Sequence, residues 1–391
     1  MISLLIDFQH SLKLLISVKI LDRFHCFGYF QHLLKMVKSM KEFEIRSRDA
    51  LRNLLSKVPI LKIENLKLPS PSEGWTPDCI VEITVSGRSH ALVCEVIASG
   101  QPRFISAAIL RLRDYLNKQR TQATPVVVAP YLSPIARQAC REREVGYLDL
   151  EGNAWISFGG VSIDHQVADK PSSERRELKS FFKPKSAQII RTMLRDPGRA
   201  WRVVELSEAA GASLGQVSNV RTALLNREWA RTTNDGVNLS DPQSLLDAWA
   251  ETYEPPAGDR KFFYTALHGR ALENAARNAI GEISGGHALF SSFSAAQWLA
   301  PYARINTNYF FADREGLERL VKALQLVPAS TGENVVITLP KEEGLLLDAI
   351  EPAPGAICTS LVQTYLDLSV AGERGKEAAE YLRQEKLTWS R

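Results

Sequence analysis

The sequence predicts an α/β protein of several domains, in which three helices and a hairpin separate two regions that mix strands with helices. Three observations predict it. The chain has 391 residues, more than the roughly 250–300 at which a single hydrophobic core stops growing. Runs rich in Val and Ile alternate with amphipathic runs on both sides of the middle. The polar stretches DKPSSERRELKS (169–180) and EPPAGDRK (254–261) read as joints. The expected regions are therefore 40–168, 181–253 and 260–391, preceded by an extension, 1–39.

The extension is apolar, yet Asp7, His10, Lys13, Lys19, Asp22 and Arg23 interrupt any membrane-spanning run. No small-residue cleavage site follows a compact apolar core, which argues against a signal peptide. The segment reads as lying upstream of a true start at Met36 or Met40, or else as a docking helix.

In the first region, CIVEITV and HALVCEVI read as two strands joined by a tight turn at Ser86, Gly87 and Arg88. From Ile105 to Gln119, Ile109, Leu112 and Leu116 recur at helical spacing. PVVVAP is a short buried strand. Ser133 and Pro134 open a helix as N-cap and first-turn proline, ending near Gly146. YLDLEGNAWISFGGVSI supplies the closing strands, so a mixed sheet flanked by helices is expected.

Between Lys185 and Leu239 three helical patterns precede a hairpin pattern, the order a winged helix-turn-helix needs. SAQIIRTMLRD is expected to be capped by Ser186 and stopped by Pro197 and Gly198. VVELSEAAG ends at Gly211, and only Ala212 separates that glycine from Ser213, which forms a capping box with Gln216. On the third helix Leu214, Val217, Val220 and Leu224 make an apolar stripe, leaving Gly215, Ser218, Asn219 and Thr222 on the opposite face. Small and amide side chains there suit a DNA groove, since Asn or Gln pairs with adenine through two hydrogen bonds. Arg221 and Arg227 flank that face, and Arg231, in a hairpin turning at Asn234, Asp235 and Gly236, is placed to reach a phosphate.

Charge supports the same segment. From Lys170 to Ser240, thirteen Lys and Arg stand against seven Asp and Glu, whereas the whole chain is only +4. Such a concentrated basic footprint fits a phosphate backbone. The expected partner is double-stranded DNA, bound by a homodimer because two half-sites raise affinity. Cys26, Cys79, Cys94, Cys140 and Cys358 are scattered, odd in number and form no C-x-x-C pair, so neither a zinc ribbon nor a disulfide framework is indicated and a reducing cytosol fits best. No histidine stands at metal-ligand spacing, so neither a metal nor a cofactor is expected.

The third region expects helices over ALENAARNAIGEI and REGLERLVKALQL and strands over NYFFA and NVVITL. It shows no phosphate-binding glycine loop and no nucleophile elbow. His268 and His287 are read as surface residues without partners.

Asp78, then Glu95 in EVIASGQPRF, then YLDLEGN resembles the PD-(D/E)xK restriction-endonuclease-like superfamily. That resemblance implies an Asp on one strand and a Glu-x-Lys on the next, carboxylate and ammonium sharing one strand face at the scissile phosphate. Here the lysine position is Ile97, which cannot activate a water. Asp78 and Glu95 are expected to be vestigial; the alternative, a metal-dependent DNA nuclease targeted by the winged helix, needs a relocated base such as Arg103 or Lys118.

From about Met40 onward the chain also resembles the AbiEi-like antitoxins of type IV toxin–antitoxin systems. The stretches that carry this are ASGQPRF, VVVAPYLSP, GYLDLEGNAWISFGG, the helix-turn-helix, ALFSSFSAAQWLAPYA and LVQTYLDLSVAGERGKEAAEYL. The resemblance implies a non-enzymatic transcriptional regulator that represses its own operon and counteracts a nucleotidyltransferase toxin. The residues expected to meet DNA are Ser213, Gln216, Ser218, Asn219, Arg221, Thr222, Arg227 and Arg231.

Overall fold

The computed structural model describes residues 27–69, 75–120, 122–167, 171–281, 286–302, 306–342 and 344–389. They fall into two compact units, one up to Val167 and one from Ala168 that also takes in Gln101–Arg103. Residues 1–26 of the expected extension, and Asp169 and Lys170 of the first joint, lie outside the described residues. Among the described residues no helix is long and apolar enough to cross a membrane.

The first unit opens with helix α1 (Phe27–Ser56), which runs through the boundary expected at residue 40. Seven strands follow in one sheet: β1 (Leu61–Lys67), β2 (Cys79–Val85), β3 (Arg88–Val96), then after helix α2 (Pro102–Gln119) β4 (Thr124–Ala129), and after helix α3 (Pro134–Glu142) β5 (Gly146–Asp149), β6 (Ala154–Phe158) and β7 (Val161–His165). Strand order is sequential. β3, β4 and β5 pair in parallel because α2 and α3 carry the chain back, and the flanking strands join as antiparallel hairpins.

Local chemistry sets these turns. Ser86 and Gly87 both take positive φ, 48° and 79°, as a two-residue primed turn requires. The Ser133 hydroxyl accepts from Ala136 N at 3.2 Å with Pro134 in the first turn. Strand alternation then sorts side chains between two cores. Cys79, Val81, Ile83, Leu92 and Cys94 pack with Leu51 and Leu55 of α1, while Val93, Val127 and Tyr147 pack with Ile105, Ile109 and Leu112 of α2.

The second unit begins with α4 (Ser172–Phe181), a helix inside the stretch expected to be a joint. There follow α5 (Pro184–Arg195), α6 (Val203–Ala210), α7 (Leu214–Asn226), β8 (Ala230–Thr233), β9 (Gly236–Leu239) and α8 (Pro242–Thr252). β8 and β9 form a two-stranded antiparallel sheet. α5 is capped at Lys183 with proline at its first position, one turn before the Ser186 cap expected, because Pro184 presets the helical φ.

The remaining elements are β10 (Gly258–Tyr264), α9 (Gly269–Ile280), β11 (Ala288–Phe290), α10 (Ser292–Leu299), β12 (Asn308–Ala312), α11 (Arg314–Ala323), β13 (Val327–Pro328), β14 (Val335–Pro340), α12 (Gly344–Leu347), β15 (Ala349–Ile350), β16 (Cys358–Thr359), α13 (Leu361–Ser369) and α14 (Gly372–Lys386). Their strands form a mixed seven-stranded sheet in the order β13-β10-β14-β12-β11-β16-β15. β10 starts within the second expected joint. One continuous core runs from Ile189, Leu224 and Val237 to Phe310, Leu366 and Leu382. The segments 181–253 and 260–391 thus pack as one body, because each lends apolar surface the other buries.

Candidate nucleic-acid interface

α5, α6 and α7 pack against one another through Ile189, Ile190, Leu206, Val217, Val220 and Leu224, all buried. Gly211 closes α6 in the left-handed region (φ 57°), which glycine adopts without a Cβ penalty. Ser213 then starts α7: its hydroxyl accepts from Gln216 N at 3.3 Å, and the Gln216 amide oxygen accepts from Ser213 N at 3.0 Å. Ser213 and Gln216 therefore hold the helix start.

With Val217, Val220 and Leu224 turned inward, Gly215, Ser218, Asn219 and Thr222 are exposed on the opposite face, and Arg221 is half-buried beside them. Leu214 departs from its expected place in the buried stripe. It is 52% exposed, at the first residue of α7. The Thr222 hydroxyl donates to Ser218 O at 2.9 Å.

The hairpin is anchored to the helices by one further pairing. Trp201 and Val237 exchange backbone hydrogen bonds at 2.9 and 3.0 Å, so Trp201, two residues before α6, gives β9 a second partner beside β8. Gly236 (φ 145°) sits so close that a Cβ there would come within 2.4 Å of Trp201 O. Arg231 is exposed, and its Nε donates to Asn238 Oδ1 at 3.3 Å. Arg199, with its guanidinium 3.7 Å above the Trp201 ring, and exposed Arg202 add two cations beside the hairpin. They were not singled out from sequence; the Trp201–Val237 pairing that places them joins distant segments.

Arg227 is corrected. Its side chain is 8% exposed and is held by Glu174 at 2.7 Å and Glu177 at 2.9 Å, with the guanidinium 5.3 Å from the Trp229 ring centroid. Two carboxylates from α4 have claimed it, so it fastens α4 to α7 and is withdrawn from the DNA-facing set.

In the first unit, Asp78 and Glu95 both have structural partners. Asp78 N donates to Cys94 O at 2.9 Å and its carboxylate accepts from Val96 N at 2.8 Å, tying the start of β2 to the end of β3. Glu95, 7% exposed in its side chain, is ion-paired with Arg111 of α2. Ile97, one residue past β3, is half-buried against the apolar core on the α2 side of the sheet. Lys118 is exposed and pairs with Asp114, and Arg103 lies in the first turn of α2. Among the described residues no group of three His, Cys, Asp or Glu is arranged to hold a metal ion. The Asp149 carboxylate, buried in YLDLEGN, accepts from the backbone N–H groups of Leu132, Glu151 and Asn153, which gives that stretch a turn-building role.

His287 is a second correction: its Nδ1 lies 3.3 Å from Asp313 Oδ2, and Asp313 caps α11 by accepting from Gly316 N at 2.7 Å. A surface histidine without a partner was expected. Two accepted backbone N–H bonds and the neighbouring His287 leave the Asp313 carboxyl below its ordinary value, against the opposing effect of burial.

Residues 238–388 match the model of a family described as transcriptional regulator, AbiEi antitoxin, type IV TA system. No curated protein and no solved structure matches the chain. The antitoxin-family match begins within β9 and runs through α14, and it contains ALFSSFSAAQWLAPYA and LVQTYLDLSVAGERGKEAAEYL. α5, α6, α7 and the whole first unit lie outside it.

The AbiEi-like region is braced to α5 by buried polar contacts. Arg191 Nη1 donates to Gln363 Oε1 at 3.2 Å, Gln363 Nε2 donates to Tyr253 Oη at 2.8 Å and to Asp367 Oδ1 at 3.0 Å, and Tyr253 Oη donates to Asp367 at 2.5 Å. Burial pushes the Asp367 carboxyl up to about 6. Burial, reinforced by neighbouring Asp367, raises the Tyr253 phenol well above its ordinary value. Burial also lowers Arg191, although Asp348 opposes it.

Proposed function

We propose that this protein is a DNA-binding transcriptional regulator that acts as the antitoxin of a type IV toxin–antitoxin operon. It reads its own operator duplex with a winged helix-turn-helix made of α5, α6, α7 and the β8–β9 hairpin. The observation that carries this reading is the face of α7. Gly215, Ser218, Asn219 and Thr222 stay exposed while the reverse side is locked into a core, so a small, amide-bearing surface is available to a major groove. Arg221, Arg231, Arg199 and Arg202 surround it as phosphate contacts.

The antitoxin role rests on the family match over residues 238–388, and the partner it implies is a nucleotidyltransferase toxin. The first unit serves as a structural domain in this reading, of restriction-endonuclease-like ancestry and without nuclease activity. Regulation in the cytoplasm as a homodimer on two half-sites completes it.

A footprint of the chain on its own upstream region at several salt concentrations tests the reading. Localised protection that weakens steeply with salt is expected. Uniform, sequence-independent binding, or none, rejects it.

A further inference from the structure

The strands of the C-terminal sheet bury one face and leave part of the other open. Along β10 the alternation sends Phe263 into the core, at 7% exposure, and Phe262 and Tyr264 to the opposite side, at 41% and 50%. Val327 of β13, paired with Tyr264, is 61% exposed. The core face is covered by α9, α10, α11, α13 and α14, through Leu272, Ala295, Leu320, Val362 and Ala378. On the opposite side, Leu346 of α12 packs on Leu289 and Phe311 at the β11–β12 end, and Val336 of β14, across from Phe262, is also buried.

We propose that Arg260, Phe262 and Tyr264 form a stacking platform for a single-stranded nucleic acid, apart from α7. Isolated exposed apolar residues need no explanation, but two aromatic rings on one strand face, bordered by Val327, form a patch. Arg260, on the same strand face, holds its guanidinium 5.7 Å from the Phe262 ring centroid. Lys341 is exposed at the start of β10, where its backbone N bonds Ala257 O at 2.8 Å. Aromatic rings beside cations accept bases of any sequence, the rings taking base faces and the cations taking phosphates.

Spacing selects a single strand over a duplex. Residues two apart on a strand are about 7 Å apart, roughly twice the ~3.4 Å step between neighbouring bases of one duplex strand. Consecutive bases reach both rings only when unstacked.

The test measures anisotropy of labelled single-stranded RNA and DNA of about twelve nucleotides, a length within known single-strand site sizes, and of an operator duplex, with the full chain. Phe262→Ala combined with Tyr264→Ala is expected to cut single-strand affinity about tenfold or more, while Phe262→Trp retains it. Both aromatic positions are exposed, so melting temperature and duplex binding should hold. Comparing the RNA and DNA arms identifies which strand is preferred. The platform is overturned if no single strand binds, if the double variant binds as well as the parent, or if duplex and single strand are lost together. A double variant that loses a co-expressed toxin, with no single strand bound by the parent, assigns the face to protein and likewise overturns it.

Discussion

Arg191 Nε and Asp348 Oδ2 lie 2.9 Å apart with side-chain exposures of 5% and 8%, an ion pair joining α5 to the segment between α12 and β15. The contact is close but not aligned as a hydrogen bond, and Asp348 is further held by Arg195 and by the Ser360 hydroxyl at 2.8 Å. Removing the acid leaves a buried guanidinium uncompensated. Asp348→Ala should cost about 3–5 kcal/mol in urea unfolding, whereas replacing both partners by apolar residues, Arg191→Met with Asp348→Leu, should recover most of that loss. A single variant as stable as the parent would show the pair to be dispensable.

Asp367 links stability to pH. Its folded value, about 6, stands above the ordinary 3.8 because burial disfavours the charged form. The group's favourable contribution is therefore complete below about pH 4 and is lost as pH rises through 6. The difference corresponds to about 3 kcal/mol. Thermal melts from pH 4 to 7 should show Asp367→Asn gaining on the parent as pH rises, with the two curves converging at the acid end.

Three substitutions test the proposed DNA reading against structural support. Asn219→Ala should cost on the order of 1–3 kcal/mol in operator binding and relax base preference at one position. Arg231→Ala should weaken all duplexes alike and reduce the salt slope by about 1. Arg227→Ala should instead lower the melting temperature, because Glu174 and Glu177 lose their shared partner, and leave the salt slope unchanged. Equal binding by the Asn219 variant and the parent would remove α7 from the groove.

Gly236→Ala tests the anchoring of the hairpin. Its φ of 145° and the 2.4 Å approach of a Cβ to Trp201 O leave no space for a side chain. The substitution should destabilise the protein by at least about 1–3 kcal/mol, read by chemical unfolding, and weaken operator binding by displacing Arg231.

Glu95 distinguishes a structural acid from a relict of catalysis. Glu95→Ala takes the partner from Arg111 and should cost about 1–3 kcal/mol of stability. Magnesium-dependent DNA cleavage present in the parent and absent from this variant would restore the nuclease reading.

The local devices were legible in the sequence. The primed turn at Ser86 and Gly87, the Ser133 cap, the Gly211 stop, the Ser213 and Gln216 capping box and the hairpin around Asn234 and Asp235 each depend on a few adjacent residues, so their chemistry is written at the site. β1 and α4 were not read as elements, and of α1 only the part before residue 40 fell within the segment for which a docking helix was one of two readings. The polar run that forms α4 resembles a linker until Leu178 finds the core and Glu174 and Glu177 find Arg227.

What the sequence alone determined is periodicity, capping and turn chemistry, and with them the α7 face that pairs Asn219 with Ser218 and Thr222. Tertiary structure decided which charges remain available. Arg221 and Arg231 look no different from Arg227 along the chain, yet Arg227 is buried between acids 53 and 50 positions away. It also decided that the helices and hairpin share one core with the C-terminal sheet, because a salt bridge or a buried contact depends on distance in space, which residue order does not encode locally.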